Sequence, residues 1–335
     1  MKLFLLGDFG SNNGPSNANK EIQNALKLNF EVKCSHASNK ISRVFEMISG
    51  IMWADMLIIC SESKLNYLAI KFSRRKKTQI IYIMHGYSIY EEIINNPLIS
   101  KAEMEAKEKY VQYIFRYSDK VVCVSKNFME FMIQNQPQYK RKFEYIYNVV
   151  DIDILKSFSR KIRIIKNKRT ILSTGGGIKR KNNIKVAEAI QNLLPEITYT
   201  IVGDMSEDGE KIKDMSNIKW IDYMEREDLF RLMSETEIYI QNSLFETFGL
   251  AVTEALFAGC SLLISEHVGC KDLFTTLSED DVIYNVNDKN EIRDKILKVM
   301  KFPNNERLMK GFKIEEISIY NQAEKFKKIM QRIID

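Results

Sequence analysis

The 335-residue sequence has no apolar run near the ~20 residues that a membrane-spanning helix requires. Its apolar start, Met1–Leu6, stops at Gly7-Asp8, short of the ~7–15-residue apolar core of a signal peptide. A first buried strand is the reading that remains. Cysteine is sparse: Cys34, Cys60, Cys123, Cys260 and Cys270 form an odd set without a Cys-x-x-Cys spacing, giving no basis for a disulfide framework. Three of them fall in or beside strand-like apolar runs, as buried thiols do in a reducing cytoplasm. The three histidines, His36, His85 and His267, show no metal-ligand spacing with them. There is no Gly-x-Gly-x-x-Gly and no Gly-Lys-Ser/Thr, so dinucleotide and P-loop sites lack support. No repeat or low-complexity tail is present.

What is there suits a globular chain of two domains, with 45% hydrophobic and 28% charged residues. The net charge of +6 is unevenly placed: residues 1–160 carry 23 Lys and Arg against 16 Asp and Glu, whereas the remainder carries 27 against 28. The densest cluster is Lys71-Phe-Ser-Arg-Arg-Lys-Lys77. Such a cluster holds a protein at an anionic membrane surface or is a solvated helix end; both readings stand. No nucleic-acid partner is expected.

Continuous apolar runs at Met56–Cys60, Ile80–Met84, Val121–Val124 and Tyr145–Tyr147 alternate with helix-compatible segments, the pattern of parallel strands covered on both faces. Polar residues follow them at the carboxyl ends, where open α/β sheets bind ligands: Ser61-Glu62, His85-Gly86, Ser125 and Asn148. After Met1–Leu6 comes a Gly-, Asn- and Ser-rich loop, Gly7–Asn19, then a helix near Lys20–Leu28. Gly14-Pro15-Ser16-Asn17 either brings amides towards a phosphate or sugar, or is an ordinary turn and cap. Glu91-Glu92 and Lys101–Lys109 read as charged helix surface.

Lys156–Arg169 is basic and interrupted, a passage to a second α/β unit. There Arg169–Ser173 reads as a strand, Thr174-Gly-Gly-Gly-Ile-Lys-Arg-Lys-Asn182 as a glycine-rich basic loop, and Asn183–Leu194 as a helix broken by Pro195. Glycines let backbone approach a diphosphate and the cations neutralise it. Further strands are read at Tyr199–Asp204, Lys219–Tyr223 and Ser261–Ile264. Trp220 is a core residue or a base-stacking one.

The most informative stretch is Gln241–Gly259. Thr247 is expected to cap a helix running from Phe248 to Ala258, ended by Gly259 at positive φ. That puts Glu246 just outside the helix and Glu254 inside it. The amides of Gly249, Leu250 and Ala251 then lie at a helix start, a spot suited to phosphate. The helix neighbours of Glu254 are Leu250, Ala251, Phe257 and Ala258, so its carboxylate requires a partner.

Glu246 and Glu254 separated by seven residues, with Phe248-Gly249-Leu250 between and Glu-Ala-Leu-Phe-Ala-Gly259 closing the run, resemble the retaining glycosyltransferase family 4. The resemblance implies an α/β chain of GT-B fold, two Rossmann-like domains facing each other across a cleft. It implies an acceptor-binding domain over 1–158, a nucleotide-sugar domain over 159–314 and a terminal helix, 315–335, crossing back. It extends to His85-Gly86, to Tyr147-Asn-Val-Val-Asp151 with Val149 in place of a glycine, and to Gly203-Asp204.

By this resemblance Glu246 contacts the transferred sugar and Glu254 the ribose. Lys181 with the Gly249 and Leu250 amides holds the diphosphate; His85 donates to sugar or diphosphate. Gly14, Gly175, Gly176 and Phe248 complete the implied binding set. No cofactor or metal is expected; Asp151-Ile-Asp153 spells a metal-binding triplet but falls at the domain boundary. A UDP-sugar is the expected donor and a GDP-sugar the alternative. The implied acceptor is a glycan or lipid-linked saccharide, with a cytoplasmic protein contacting the anionic membrane face. One departure matters: Gly176 stands where the family places an arginine, with Lys179 and Arg180 as candidates to replace it. The missing arginine keeps open a non-catalytic subunit that positions a partner transferase.

Overall fold

The computed structural model describes residues 1–11, 14–36, 39–161, 166–191, 193 and 196–335. Two compact units emerge, one of residues 1–90, 98–150 and 314–335, the other of 91–97 and 151–313. The second unit thus takes in the helix Ile152–Lys161, so the division falls before Asp151 rather than after 158. Asp151 Oδ1 accepts from the Ile154 amide, so the first carboxylate of the Asp-x-Asp triplet is tied to this helix start. Leu194 and Pro195, the expected end of one helix, lie outside the described residues, as do 162–165 of the basic passage and Asn12-Asn13 of the first loop.

The first unit is an all-parallel six-stranded sheet in the order β2-β1-β3-β4-β5-β6. Its strands are β1 (Lys2–Leu6), β2 (Glu31–Cys34), β3 (Met56–Ile59), β4 (Gln79–Met84), β5 (Lys120–Cys123) and β6 (Phe143–Tyr145). Leu3, Leu5, Ile58, Ile81, Ile83 and Val122 share one core with Ile22 and Leu26 of α1 (Gly14–Lys27). Phe326, Ile329 and Met330 of the last helix, Ile319–Ile334, join that core by packing on α1. Both faces of the sheet are covered, which is why its strands read as unbroken apolar runs.

On the other face lie α2 (Lys40–Trp53) and α3 (Lys64–Lys76), crossing from β2 to β3 and from β3 to β4. Lys76 Nζ donates to the carbonyls of Ile51, Met52 and Ala54 at 2.7, 3.0 and 2.7 Å, capping the end of α2. The Arg74 guanidinium lies 3.9 Å from the centre of the Tyr117 ring. Two of the cations in the basic cluster are therefore engaged within the unit. No helix among the described residues is long and apolar enough to cross a membrane.

The second unit repeats the plan in the order β12-β11-β10-β7-β8-β9, again parallel. Its strands are β7 (Asn167–Thr174), β8 (Thr198–Val202), β9 (Ile218–Ile221), β10 (Thr236–Gln241), β11 (Ser261–Ser265) and β12 (Val282–Ile283). Trp220 of β9 packs against this unit's core. All five cysteines are reduced and buried, three in the first unit and two in the second. Burial raises every one of these thiols, Cys260 to about 11 and Cys34 to about 12.

The triple glycine has a packing cause. Gly175 and Gly176 adopt positive φ, and a Cβ on Gly176 would lie 2.0 Å from the Asp204 carbonyl oxygen. One on Gly177 would lie 1.9 Å from that of Met205. The amides of Gly175 and Gly176 donate to Val202 O, and that of Gly177 to Asp204 O. The loop is thus bonded to the turn after β8, and these amides are committed to protein rather than presented to a diphosphate. Gly176→Ala is expected to lower the unfolding free energy by about 2–4 kcal/mol in a denaturant titration. Gly14→Ala, where an added Cβ meets nothing within 4 Å, should change it by less than ~0.5 kcal/mol.

Candidate active site

At the carboxyl ends of β7 and β10 two loops converge on Glu246. The glycine-rich loop turns through Lys179–Lys181 before the helix Asn183–Ile190, and β10 runs out into Asn242–Gly249. Leu244 N donates to Arg180 O at 2.8 Å, while the side-chain amides of Asn182 and Asn242 both donate to Val286 O. On the far side Glu246 N donates to His267 O, Gly269 N to Glu246 O and Cys270 N to Phe248 O. His267–Cys270 thereby clamps Glu246–Phe248 from below.

Lys181 Nζ lies 2.5 Å from Glu246 Oε2, and Arg180 Nη1 lies 3.6 Å from the same oxygen. Gln241 Nε2 approaches it at 3.3 Å, and the Phe248 amide donates to the same carboxylate. Burial pushes the Glu246 carboxyl up, but Lys181 and Arg180 outweigh it and hold the group below its ordinary value. Glu246 is therefore a carboxylate at neutral pH, facing two cations. The Lys181 stem runs over Gly175, whose missing Cβ would meet it at 2.8 Å.

A polar chain supports the carboxylate from beneath. Tyr239 Oη lies 2.7 Å from Thr174 Oγ1 and donates to Gln241 Oε1 at 3.0 Å, and Gln241 in turn donates to Ser243 Oγ and Glu246. Burial raises the Tyr239 phenol far above its ordinary value, so it stays neutral and donates.

The helix after Glu246 spans Leu250–Phe257 and starts two residues later than expected. Its cap is Gly249 at φ 98°, not Thr247, because the left-handed backbone that turns the chain into the helix favours a residue without Cβ. Gly259 at φ 84° follows its end. Phe248 is 2% exposed, so its ring is core and the residue serves the cluster through its amide. Leu250 and Ala251 open the helix, where amides lack intrahelical acceptors.

Glu254 has the partner its apolar surroundings demand. Arg226, at the start of the helix Arg226–Glu235, approaches its Oε1 with Nε at 2.9 Å and Nη2 at 2.8 Å. Burial nevertheless prevails over the arginine and holds the Glu254 carboxyl above its ordinary value.

Of the cations beside Lys181, Lys179 is taken by Glu207, whereas Arg180 points inward and its Nη1 also approaches Phe245 O at 3.5 Å. Glu91 belongs to this surround rather than to a solvated helix face, lying 4.0 Å from Arg180 Nε in the same unit. Of the two cations that the sequence offered in place of the missing arginine, Arg180 is the one that reaches Glu246, whereas Arg226 and Gln241 are functional candidates that sequence patterning did not assign. Gln241 opens the motif stretch at the end of a strand, and that position was the signal available.

The other candidates lie in the first unit. Gly14 is the exposed first residue of α1. His85 follows β4, with Nε2 2.7 Å from Asn19 Oδ1, and Asn19 in turn donates to Asp8 O. Burial lowers the His85 pKa to about 4, so the ring is neutral and Nε2 is the donor to Asn19.

Residues 156–312 match the family profile described as Glycosyl transferases group 1. An uncharacterized 41.2 kDa protein in the cps region of Klebsiella pneumoniae is 22% identical over 273 residues, 74% of this chain and 71% of that protein. The N-acetylgalactosamine-N,N'-diacetylbacillosaminyl-diphospho-undecaprenol 4-alpha-N-acetylgalactosaminyltransferase of Campylobacter jejuni is 24% identical over 202 residues, 57% of this chain and 50% of that enzyme. Among solved structures, Anabaena HepE in complex with UDP and glucose superposes with a TM-score of 0.72 at 13% identity, covering 99% of each chain. The fold is GT-B, and the profile match supports glycosyl transfer.

A pH titration of His85 by nitrogen NMR should show the Nε2–H tautomer persisting to about pH 4. The folded value lies below that of the unfolded chain, near 6.5. This residue's contribution therefore costs stability as pH falls from about 6.5 to about 4. A midpoint at or above 6 would contradict the buried placement.

Proposed function

We propose that this chain is a retaining hexosyltransferase of glycosyltransferase family 4, acting on a nucleotide diphosphate sugar without a metal. The observation that carries this is the convergence of Lys181 and Arg180 on Glu246 beside the start of the helix Leu250–Phe257. A leaving nucleoside diphosphate gains negative charge as the anomeric bond breaks. Two fixed cations and a helix start stabilise that charge more in the transition state than in the bound donor. Arg180 occupies the role that Gly176, with no room for a side chain, does not.

In this reading Glu246 orients hydroxyls of the transferred sugar and Glu254 accepts from the ribose, with Arg226 holding its carboxylate. The acceptor hydroxyl oxygen bonds the anomeric carbon on the face from which the nucleoside diphosphate leaves, and the hydroxyl's proton passes to the departing diphosphate oxygen. HepE in complex with UDP supports a UDP-sugar as donor. The Campylobacter enzyme, whose name places its acceptor sugar on diphospho-undecaprenol, supports a lipid-linked saccharide as acceptor in surface-polysaccharide assembly. His85, neutral and donating its Nε2–H to Asn19, has no second N–H for a diphosphate and is an acceptor for a sugar hydroxyl through Nδ1.

The test is release of free nucleotide from a panel of UDP- and GDP-sugars in EDTA, with and without lipid-linked acceptors. One nucleotide should be released in an acceptor-dependent manner. Arg180→Ala and Lys181→Ala should each lower kcat/KM by about 10²–10³-fold while the variants remain folded. Activity unchanged in Arg180→Ala would remove that residue from the mechanism. Folded protein that turns over no donor across the panel would favour a non-catalytic GT-B subunit.

A further inference from the structure

The helix α2 is apolar on two sides. Met47, Gly50 and Ile51 face the sheet, Gly50 so closely that a Cβ there would meet the Phe4 ring at 2.5 Å. On the opposite side Ile41, Phe45 and Met52 are 72%, 70% and 58% exposed. At 3.6 residues per turn these three fall within about 40° of one another, forming a row about 16 Å long parallel to the helix axis. Helix α3, packed beside α2 on the same face of the sheet, adds exposed Tyr67 and Leu68.

The charge of this segment is predominantly positive. Residues 40–77 hold eight Lys and Arg against Glu46, Asp55 and Glu62. All three carboxylates are engaged within the unit: Glu46 accepts from the His36 amide, Asp55 from that of Lys2 and Glu62 from the Tyr82 hydroxyl. Lys76 and Arg74 are occupied as described, while Lys64, Lys71, Arg75 and Lys77 are exposed. An apolar row flanked by cations, with its carboxylates engaged, complements lipid phosphates over acyl chains.

We propose that α2 and α3 form the docking face for an anionic lipid bilayer, with Ile41, Phe45 and Met52 entering the interface and Lys71, Arg75 and Lys77 meeting headgroup phosphates. Lys76 joins the two helices so that row and cations are presented together. This deepens the lipid-linked-acceptor reading, on which it rests for its purpose.

The test is co-sedimentation of the full chain with phosphatidylcholine vesicles with and without phosphatidylglycerol. Binding should require the anionic lipid. Ile41→Ser/Phe45→Ser should weaken it about tenfold or more, and Lys71→Glu/Arg75→Glu should abolish it. Leu297→Ser, removing an exposed apolar residue in the second unit, should leave it unchanged. Each variant is checked by thermal melting and by nucleotide release from soluble donor, so loss of docking and loss of catalysis are read separately. Absence of binding, or binding unaffected by both pairs of substitutions, would overturn the proposal. So would a lipid-free dimer that the Ile41→Ser/Phe45→Ser pair dissociates, since a second copy would then cover the row.

Discussion

A carboxylate as enclosed as Glu246 is tolerable only beside cations, and most of the second unit's loop architecture serves to bring two of them to it. Removing one partner from a buried ion pair typically costs about 3–5 kcal/mol, because the other charge is left without compensation. Lys181 and Arg180 reach Glu246 because the chain turns tightly after β7, and it does so because Gly176 and Gly177 abut the backbone of Gly203–Met205. The turn after β8 therefore sets the position of cations that it does not itself touch. On the other side of the carboxylate, pairing with His267–Cys270 fixes where the helix Leu250–Phe257 begins. Cations, carboxylate and helix start are thus placed by backbone contacts, an arrangement in which little reorganisation is needed when charge develops.

The parts of this arrangement that are local in sequence were legible there. Buried parallel strands such as β3 and β4 are unbroken apolar runs, and Glu246, Glu254 and Lys181 stand at recognisable spacings. The strand β2, Glu-Val-Lys-Cys, was not legible: it is an edge strand with two exposed residues and no apolar run. Two-residue β12 carries too little pattern to read. Arg226 acquires meaning from Glu254, 28 residues away, and Arg180 from a loop 65 residues away. Such pairings are set by tertiary packing, which periodicity does not encode. The glycine loop shows the reverse case, where residues correctly noticed owe their identity to close backbone contact rather than to ligand approach. Thr247 likewise has the chemistry of a cap, but the left-handed turn at Gly249 supplies the helix start instead.

The two faces of α2 illustrate how one element answers to two environments. Its sheet-facing side is so closely packed that only glycine fits at position 50, whereas its outer row is exposed among the described residues. A helix of this kind is stabilised from within by its neighbours and by the Lys76 cap, leaving its outer composition free to be set by whatever it meets.

The thiols carry a different consequence. Each of the five is enclosed by its own unit and, with its proton held tightly, is a poor nucleophile at neutral pH. An alkylating reagent would reach Cys60 or Cys123 only when the first sheet opens, and Cys260 or Cys270 only when the second does, whereas Cys34, 7% exposed on the edge strand β2, is the least protected. The chain thus contains its own clock for each half: the order in which peptides bearing these cysteines become modified reads out which sheet loosens first, with no label introduced. A cysteine placed on the surface would, against that silent background, be the single reactive thiol of the folded protein.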